Sequence, residues 1–243
     1  DDLERLRKEM QRVFSGQVDN NASPYEYGYW LKGVKAQRSG SPQVRKINNA
    51  WWINETIRTV VTSEEIGKAA AYLLDTEEIR LWHDQAILKP PTTGDDKLIG
   101  NIGWHQDYGF WQASNSTKMC TAWIPLQDVD ESNGALRTIT RSHKWGLKED
   151  SATFFDKDME HLKSKFAGDD WEDKPCLMKA GQIAIHHCLT FHGSGPNLSQ
   201  APRWAIAVHM HGKGCGYSPG HGWHHNVQDL GPNAKAGDLF VGP

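Results

Sequence analysis

The chain has 243 residues, 38% hydrophobic and 23% charged, with 23 Gly and 11 Pro, which fits one globular domain of ordinary size with room for a sizeable core. Lys and Arg number 27 against 30 Asp and Glu, a formal charge of -3, so there is no global positive field to hold nucleic acid or an anionic membrane. No apolar run approaches the ~18 residues of a membrane helix, and the longest mixed stretch, Ile183 to Phe191, is broken by His186 and His187.

The first segment sets Leu3, Leu6, Met10, Val13 and Phe14 at helical spacing among charged residues, which predicts an amphipathic surface helix. Residues 15–45 are rich in Gly, Ser, Asn and Pro and carry Tyr25, Tyr27, Tyr29 and Trp30, the pattern of an irregular but packed segment. A second helix is expected from Thr62, where Thr62 and Glu65 have capping-box spacing, through Ala69 to Leu74. A third is expected over Phe154 to Phe166.

Short strands account for the remainder: 79–88, 119–126, 135–140, 182–187 and 203–210. Such strands, with helices gathered in the N-terminal half, predict a mainly β architecture, a sandwich or barrel backed by helices. The last strand alternates informatively. Trp204, Ile206, Val208 and Met210 form a bulky face fit for a core, whereas Arg203, Ala205, Ala207 and His209 leave space for a cavity.

Four cysteines, Cys120, Cys176, Cys188 and Cys215, show no Cys-x-x-Cys spacing in a chain too long to need staples. They are read as reduced thiols in a cytoplasmic, cytosol-like compartment. The chain opens on Asp1 and shows no charged-then-apolar leader.

His105 and Asp107, two apart, project from one side of an extended segment, and His192 lies beyond a later strand. Two imidazoles and one carboxylate on one face of a metal leave three positions open, the arrangement of non-haem Fe(II) oxygenases. The pair alone is noise, since 12 His and 18 Asp produce ~0.9 His-x-Asp pairs by chance in this length. Arg203 adds weight. It follows His192 by eleven residues and opens the alanine-bearing strand face, where a buried guanidinium can grip a carboxylate with two parallel hydrogen bonds, although a surface Arg after Pro202 fits the strand position equally well.

The stretches Lys89-Pro90-Pro91, Trp104-His105-Gln106-Asp107, Thr121-Ala122-Trp123-Ile124-Pro125-Leu126, Ser132-Asn133-Gly134-Ala135-Leu136, Ser142-His143-Lys144 and His192-Gly193-Ser194-Gly195-Pro196-Asn197 occur in one order over residues 85–210. In this the sequence resembles the phytanoyl-CoA dioxygenase family of Fe(II)- and 2-oxoglutarate-dependent oxygenases. The resemblance implies a double-stranded β-helix (a jelly-roll, cupin-like barrel) in a single domain over 1–243. Helical support would cover about 1–78, the barrel core about 79–212, and a C-terminal loop region 213–243.

Carried over residue by residue, the resemblance makes His105, Asp107 and His192 the iron ligands. It gives 2-oxoglutarate to Arg203, with the Ser194 hydroxyl beside it, Trp123 against the cosubstrate, Gln106 between the ligands, Ile87 as a wall and Lys46 reaching in from the N-terminal region. It implies Fe(II), 2-oxoglutarate and O2 as cofactor and cosubstrates, with ascorbate as a stimulant. The activity implied is hydroxylation of a small molecule with release of succinate and CO2. Alternatives are a desaturase outcome, a non-catalytic barrel that binds 2-oxoglutarate or another ligand, and a zinc hydrolase on the same ligands, for which no general base is evident.

Many members have Pro-Gly where this chain has Thr140-Arg141, so the turn before Ser142-His143 must differ, with Arg141 expected near the barrel mouth. Candidate substrate contacts are Tyr108, Phe110, Trp111, Arg137 and His187, each with an ordinary packing or second-layer role as its rival. The abundance of Trp could build an aromatic cage for a quaternary ammonium, whereas Arg137, Arg141 and Lys89 would favour a carboxylate or phosphonate. A long acyl-CoA thioester rests on the family name alone. The run Gly220-His221-Gly222-Trp223-His224-His225 fits no tight zinc spacing and is expected to be a loop over the barrel mouth.

Overall fold

The computed structural model describes residues 2–22, 44–93, 97–166, 170–222 and 224–240. The tyrosines 25, 27 and 29 with Trp30, and Trp223, lie outside the described residues. In chain order the elements are α1 (Asp2–Phe14), β1 (Arg45–Asn48), α2 (Glu55–Val61), α3 (Glu64–Leu74), β2 (Ile79–Lys89), β3 (Ile102–His105) and β4 (Met119–Pro125). They continue as β5 (Leu136–Ile139), α4 (Met159–Phe166), β6 (Asp173–Pro175), β7 (Ala184–His187), β8 (His192–Ser194) and β9 (Arg203–Gly212). Two antiparallel sheets result, one in the order β1-β2-β9-β4-β7 and the other β3-β8-β5-β6. The fold is a two-sheet jelly roll, not a closed barrel. No helix among the described residues is long and apolar enough to cross a membrane.

The alternation of β9 decides how the layers stack. Trp204, Ile206, Val208 and Met210 face outward into a core completed by Leu6, Met10, Val13 and Phe14 of α1 and by the apolar faces of α2 and α3. The Phe14 ring meets Trp204 edge-on at 5.5 Å. The small face of β9 is left pointing between the sheets. Behind the second sheet, Leu162 and Phe166 of α4 pack on Trp104, Ile139 and Phe191. Cys120, Cys188 and Cys215 are buried, and all four cysteines are free thiols.

Two helix boundaries depart from the sequence pattern. Thr62 does not open a helix; it ends α2, where its hydroxyl donates to the Arg58 carbonyl. Asn54 caps α2 by accepting from the Ile57 amide at 2.9 Å, whereas Ser63 precedes α3 and spends its hydroxyl on Glu65. The third helix starts at Met159, not Phe154. The Phe154 carbonyl accepts instead from the Gly103 amide, tying that stretch to β3, and the Asp158 carboxylate accepts from the His161 amide at the true helix start. Strands β1, β3, β6 and β8 are three or four residues long, too short for a visible period.

Arg141 adopts a left-handed backbone at φ 61 with its side chain exposed. It borders a surface hollow with Thr140, Lys144 and Trp171, so the expectation that it stands at the mouth of the central cavity is corrected. An L-residue in this conformation costs about 1–2 kcal/mol, part of which glycine would return as unfolded-state entropy. Arg141→Gly is therefore expected to raise stability by about 0.5–1 kcal/mol, measurable by denaturant unfolding.

Asp84 on β2 is fully buried on the outer side of its sheet, accepting from the Trp51 amide while its second oxygen finds no partner among the described residues. Burial pushes its carboxyl up to about 7. Below about pH 4 folded and unfolded chains both carry this proton. As pH rises from 4 through 7, the unfolded carboxyl ionises while the folded one still holds its proton, so stability is lost across that window. Asp84→Asn is expected to remove this loss, of the order of 1–4 kcal/mol, in unfolding curves recorded from pH 4 to 8.

Candidate metal centre and its pocket

The space between the sheets is lined from both sides. On the first sheet the register carries His83, His209, Thr121 and His186 across β2, β9, β4 and β7 as one transverse row. The next inward row is Gln85, Ala207, Trp123 and Ala184, and Lys89 pairs with Arg203 at the far end. On the second sheet His105 of β3 pairs with His192 of β8, and Asp107 follows in a short 3-10 turn.

His105, Asp107 and His192 are buried, and one ligand atom from each lies within 4.8 Å of the others. Both imidazoles approach through Nε2, at 3.8 and 3.5 Å from Asp107 Oδ1. Each Nδ1 contacts a backbone carbonyl, Gly103 O at 2.7 Å for His105 and Thr190 O at 2.9 Å for His192. A carbonyl only accepts, so each Nδ1 carries the proton and each Nε2 turns a lone pair inward, the tautomer of a metal-bound histidine. Thr121 Oγ1 donates to Asp107 Oδ2 at 2.7 Å, and its own lone pair accepts from His209 Nδ1 at 2.7 Å.

Burial holds the His105 imidazole well below its ordinary range, with the nearby His192 adding to it. Burial alone would raise the Asp107 carboxyl, but the imidazoles around it, His192 first, keep it well below the carboxylate range. Burial opposes charging of His192 too, and the Asp107 charge overcomes it, so that imidazole is raised. Once a metal displaces the proton that Asp107 favours on His192 Nε2, two inward lone pairs and an ionised carboxylate, with supported ring orientations, can hold a divalent ion.

The opposite end of the cavity is cationic. Arg203 is 3% exposed, lies over the Trp123 ring at 5.0 Å, and has its Nε and Nη1 unpartnered among the described residues. Burial lowers it to about 10, which leaves it protonated at neutral pH. Lys89, fully buried, donates to Ser194 Oγ at 2.6 Å and to the Gly195 carbonyl. Burial, and then Arg203, push its ammonium well below the lysine range. A buried guanidinium with idle donors beside a desolvated lysine calls for a carboxylate.

One cavity of about 240 Å³ joins the two ends. It brings together His105, Asp107, His192, Arg203, Ser194 and Trp123, with Ile87, Lys46, Phe110 and Trp111 also on its walls. Four expected contacts are not brought there. Gln106 turns away, its amide donating to Gly146 O and Leu189 O and accepting from the Lys148 amide, so it braces the loop behind the site. Tyr108 donates its hydroxyl to Ser114 O and packs with Trp82 and Trp111. Arg137 is held at 2.9 Å by both oxygens of Asp173 on the neighbouring strand β6. His187 faces out toward His143 and accepts from the Leu189 amide.

Its neighbour His186 takes the inward place, 3.4 Å from Asp107 Oδ2. The pairing of β7 with β4 selects His186 over His187 by placing it beside Thr121. Lys89 was legible as a motif member and as a cation for an anionic substrate, not as the neighbour of Arg203. The approach of His224 and His225 to His83 had no local signal.

A two-sheet jelly roll with two histidines and a carboxylate converging on one buried point offers the donor set of a mononuclear metal site. The family profile described as phytanoyl-CoA dioxygenase (PhyH) matches residues 1–205, and the chain belongs to that family. It is 29% identical over 184 residues to a probable alpha-ketoglutarate-dependent hypophosphite dioxygenase of Stutzerimonas stutzeri, covering 74% of this chain and 59% of the relative. It is 26% identical over 223 residues to the peroxisomal phytanoyl-CoA dioxygenase of Rattus norvegicus, covering 89% and 63%. The chain thus spans about three-fifths of the length of these two relatives. The solved structure of the non-haem alpha-ketoglutarate-dependent carbocyclase SnoK from nogalamycin biosynthesis matches with a TM-score of 0.71 at 20% identity, over 99% of this chain and 85% of that one, a likeness of fold.

Proposed function

We propose that this protein is an Fe(II)- and 2-oxoglutarate-dependent oxygenase that hydroxylates a small molecule. The observation that carries the reading is the joining, in one cavity, of the His105, Asp107 and His192 donor set to the buried Arg203 guanidinium, whose Nε and Nη1 have no partner among the described residues. Membership of the family and the dioxygenase relatives support it.

His105 and His192 would hold the metal through Nε2 and Asp107 through its carboxylate, with Gly103 O, Thr190 O and Thr121 Oγ1 fixing their orientations. When bound there, Fe(II) would supply the chemistry that couples oxidative decarboxylation of 2-oxoglutarate, which takes one oxygen atom of O2 into succinate and releases CO2, to insertion of the second oxygen atom into a substrate C–H bond. Arg203 fastens the distal carboxylate of 2-oxoglutarate, Ser194 supplies a hydroxyl beside it, and Trp123 and Ile87 wall the chain between. Phe110, Trp111 and Phe154 close the substrate side and keep water out. The cavity of about 240 Å³ suits 2-oxoglutarate together with a small substrate group.

Asp107 would fill the coordination position a halide needs, so a hydroxylated product is expected, with desaturation as the alternative outcome, and not a chlorinated one. The test is succinate formation from protein given Fe(II), 2-oxoglutarate, ascorbate and a panel of small metabolites. Stimulated turnover with one panel member is expected. Binding of 2-oxoglutarate without turnover across the panel would favour the non-catalytic barrel, and metal-dependent hydrolysis without succinate would favour the zinc hydrolase.

A further inference from the structure

A second group of imidazoles lines the same cavity. His83 from β2 meets His224 and His225 from the C-terminal region; all three are buried, with one ring nitrogen of each within 4.8 Å of the others. Ring centroids stand 5.2 Å apart for His83 and His224, 5.0 Å for His83 and His225, and 4.1 Å for His224 and His225. Residues 224 and 225 are therefore part of the cavity wall, and the loop expected over the mouth is closer to the chemistry than its spacing suggested.

Such a cluster suits either a transition metal or an oxyanion, and the protons separate the two. The Asn226 amide donates to His224 Nδ1 at 3.2 Å, which occupies that lone pair and places the neutral ring's proton on Nε2. His224 is thus a donor, and a metal would be left with His83 and His225 alone, two nitrogens where a stable site uses three or four. Burial first, and then the neighbouring imidazoles and Lys46, hold the His83 and His224 rings well down in the neutral range. The Lys46 ammonium, 4.5 Å over the Phe154 ring, also lowers His225, so its positive field reaches the whole cluster. Asp107 is the one acid lining the cavity among the described residues, and Thr121 and the metal centre engage it. Donors and positive potential without a competing carboxylate favour an anion.

We propose that His83, His224 and His225, with Lys46, form an oxyanion subsite that seats a carboxylate or phosphonate group of the substrate beside the metal centre. The proposal rests on the oxygenase reading above and names its substrate class. This subsite is separate from the Arg203 end: His83 pairs with His209 on β9, six residues beyond Arg203, which puts the cluster at the triad's end of the cavity. A substrate anchored at the histidines would lie along Phe110 and Trp111 with its carbon chain toward the triad.

Protein labelled with 13C in its histidine rings, loaded with Zn(II) and 2-oxoglutarate, is titrated with methylphosphonate, propionate and neutral propionamide. At least one oxyanion should bind and move the ring signals of residues 83, 224 and 225 toward imidazolium, while propionamide does not; the stronger of the two probes identifies the headgroup. His224→Asn, which keeps an acceptor for the Asn226 amide, and His83→Gln should each weaken that probe at least tenfold and leave 2-oxoglutarate affinity unchanged. Failure of both oxyanions to bind, displacement of 2-oxoglutarate by the probe, or uptake of a second Zn(II) at these rings overturns the subsite. Metal and 2-oxoglutarate binding are read on the same samples, so protein that binds the oxyanion at these rings but neither cofactor keeps the subsite and loses the oxygenase reading.

Discussion

His105→Ala and His192→Ala are each expected to lower Fe(II) affinity by more than about 100-fold and to abolish 2-oxoglutarate turnover, because one imidazole and one carboxylate hold a first-row metal poorly. The loss should be larger than removal of a supporting contact causes. Thr121→Val, which deletes the hydroxyl that donates to Asp107 and accepts from His209, is the comparison, with a loss of about 10–100-fold. Metal content by mass spectrometry of dialysed protein checks both. Undiminished iron in the two alanine variants would place the metal elsewhere, and the three-histidine cluster would be the first place to look.

Arg203→Ala is expected to weaken 2-oxoglutarate binding by roughly 2–5 kcal/mol, a factor of about 30 to several thousand in Kd, as for the truncation of one partner of a buried charge pair. Its guanidinium is buried and keeps unused donors, so the carboxylate it meets is fully desolvated. Fe(II) should still bind, since Arg203 lies across the cavity from the triad. Arg203→Lys should recover part of the loss through charge but not the two-pronged geometry. Calorimetric titration of 2-oxoglutarate into the metal-loaded variants measures this; an unchanged affinity in Arg203→Ala would hand the distal carboxylate to Lys89 and Ser194.

These two assignments were the most legible parts of the chain. A run of motifs in a fixed order carried the triad, and the alternation of small and bulky residues along β9 placed Arg203 on the open face and Trp204 to Met210 on the core face. Both are local: a strand's period of two is written in consecutive residues, and so is a motif's spacing. The amphipathic helix α1 was readable for the same reason.

The side chains that the structure places away from the cavity lie where a local pattern ends. Gln106 and Tyr108 flank Asp107 at the exit from β3, where the chain turns and the alternation no longer says which way a side chain points. His187 closes β7, and only the pairing of Thr121 with His186 settles which of two adjacent histidines faces the metal centre. Arg137 could face a substrate or a neighbouring strand until β6 arrives with Asp173 beside it. The sequence by itself carried the resemblance to the family, the candidate metal donors that this resemblance implies and the two faces of β9, because motif order and a strand's period are written in consecutive residues. Only the tertiary structure decided that Lys89 lies beside Arg203 and that His83 meets His224 and His225, because contacts between distant segments depend on strand register and loop closure, which no local period encodes.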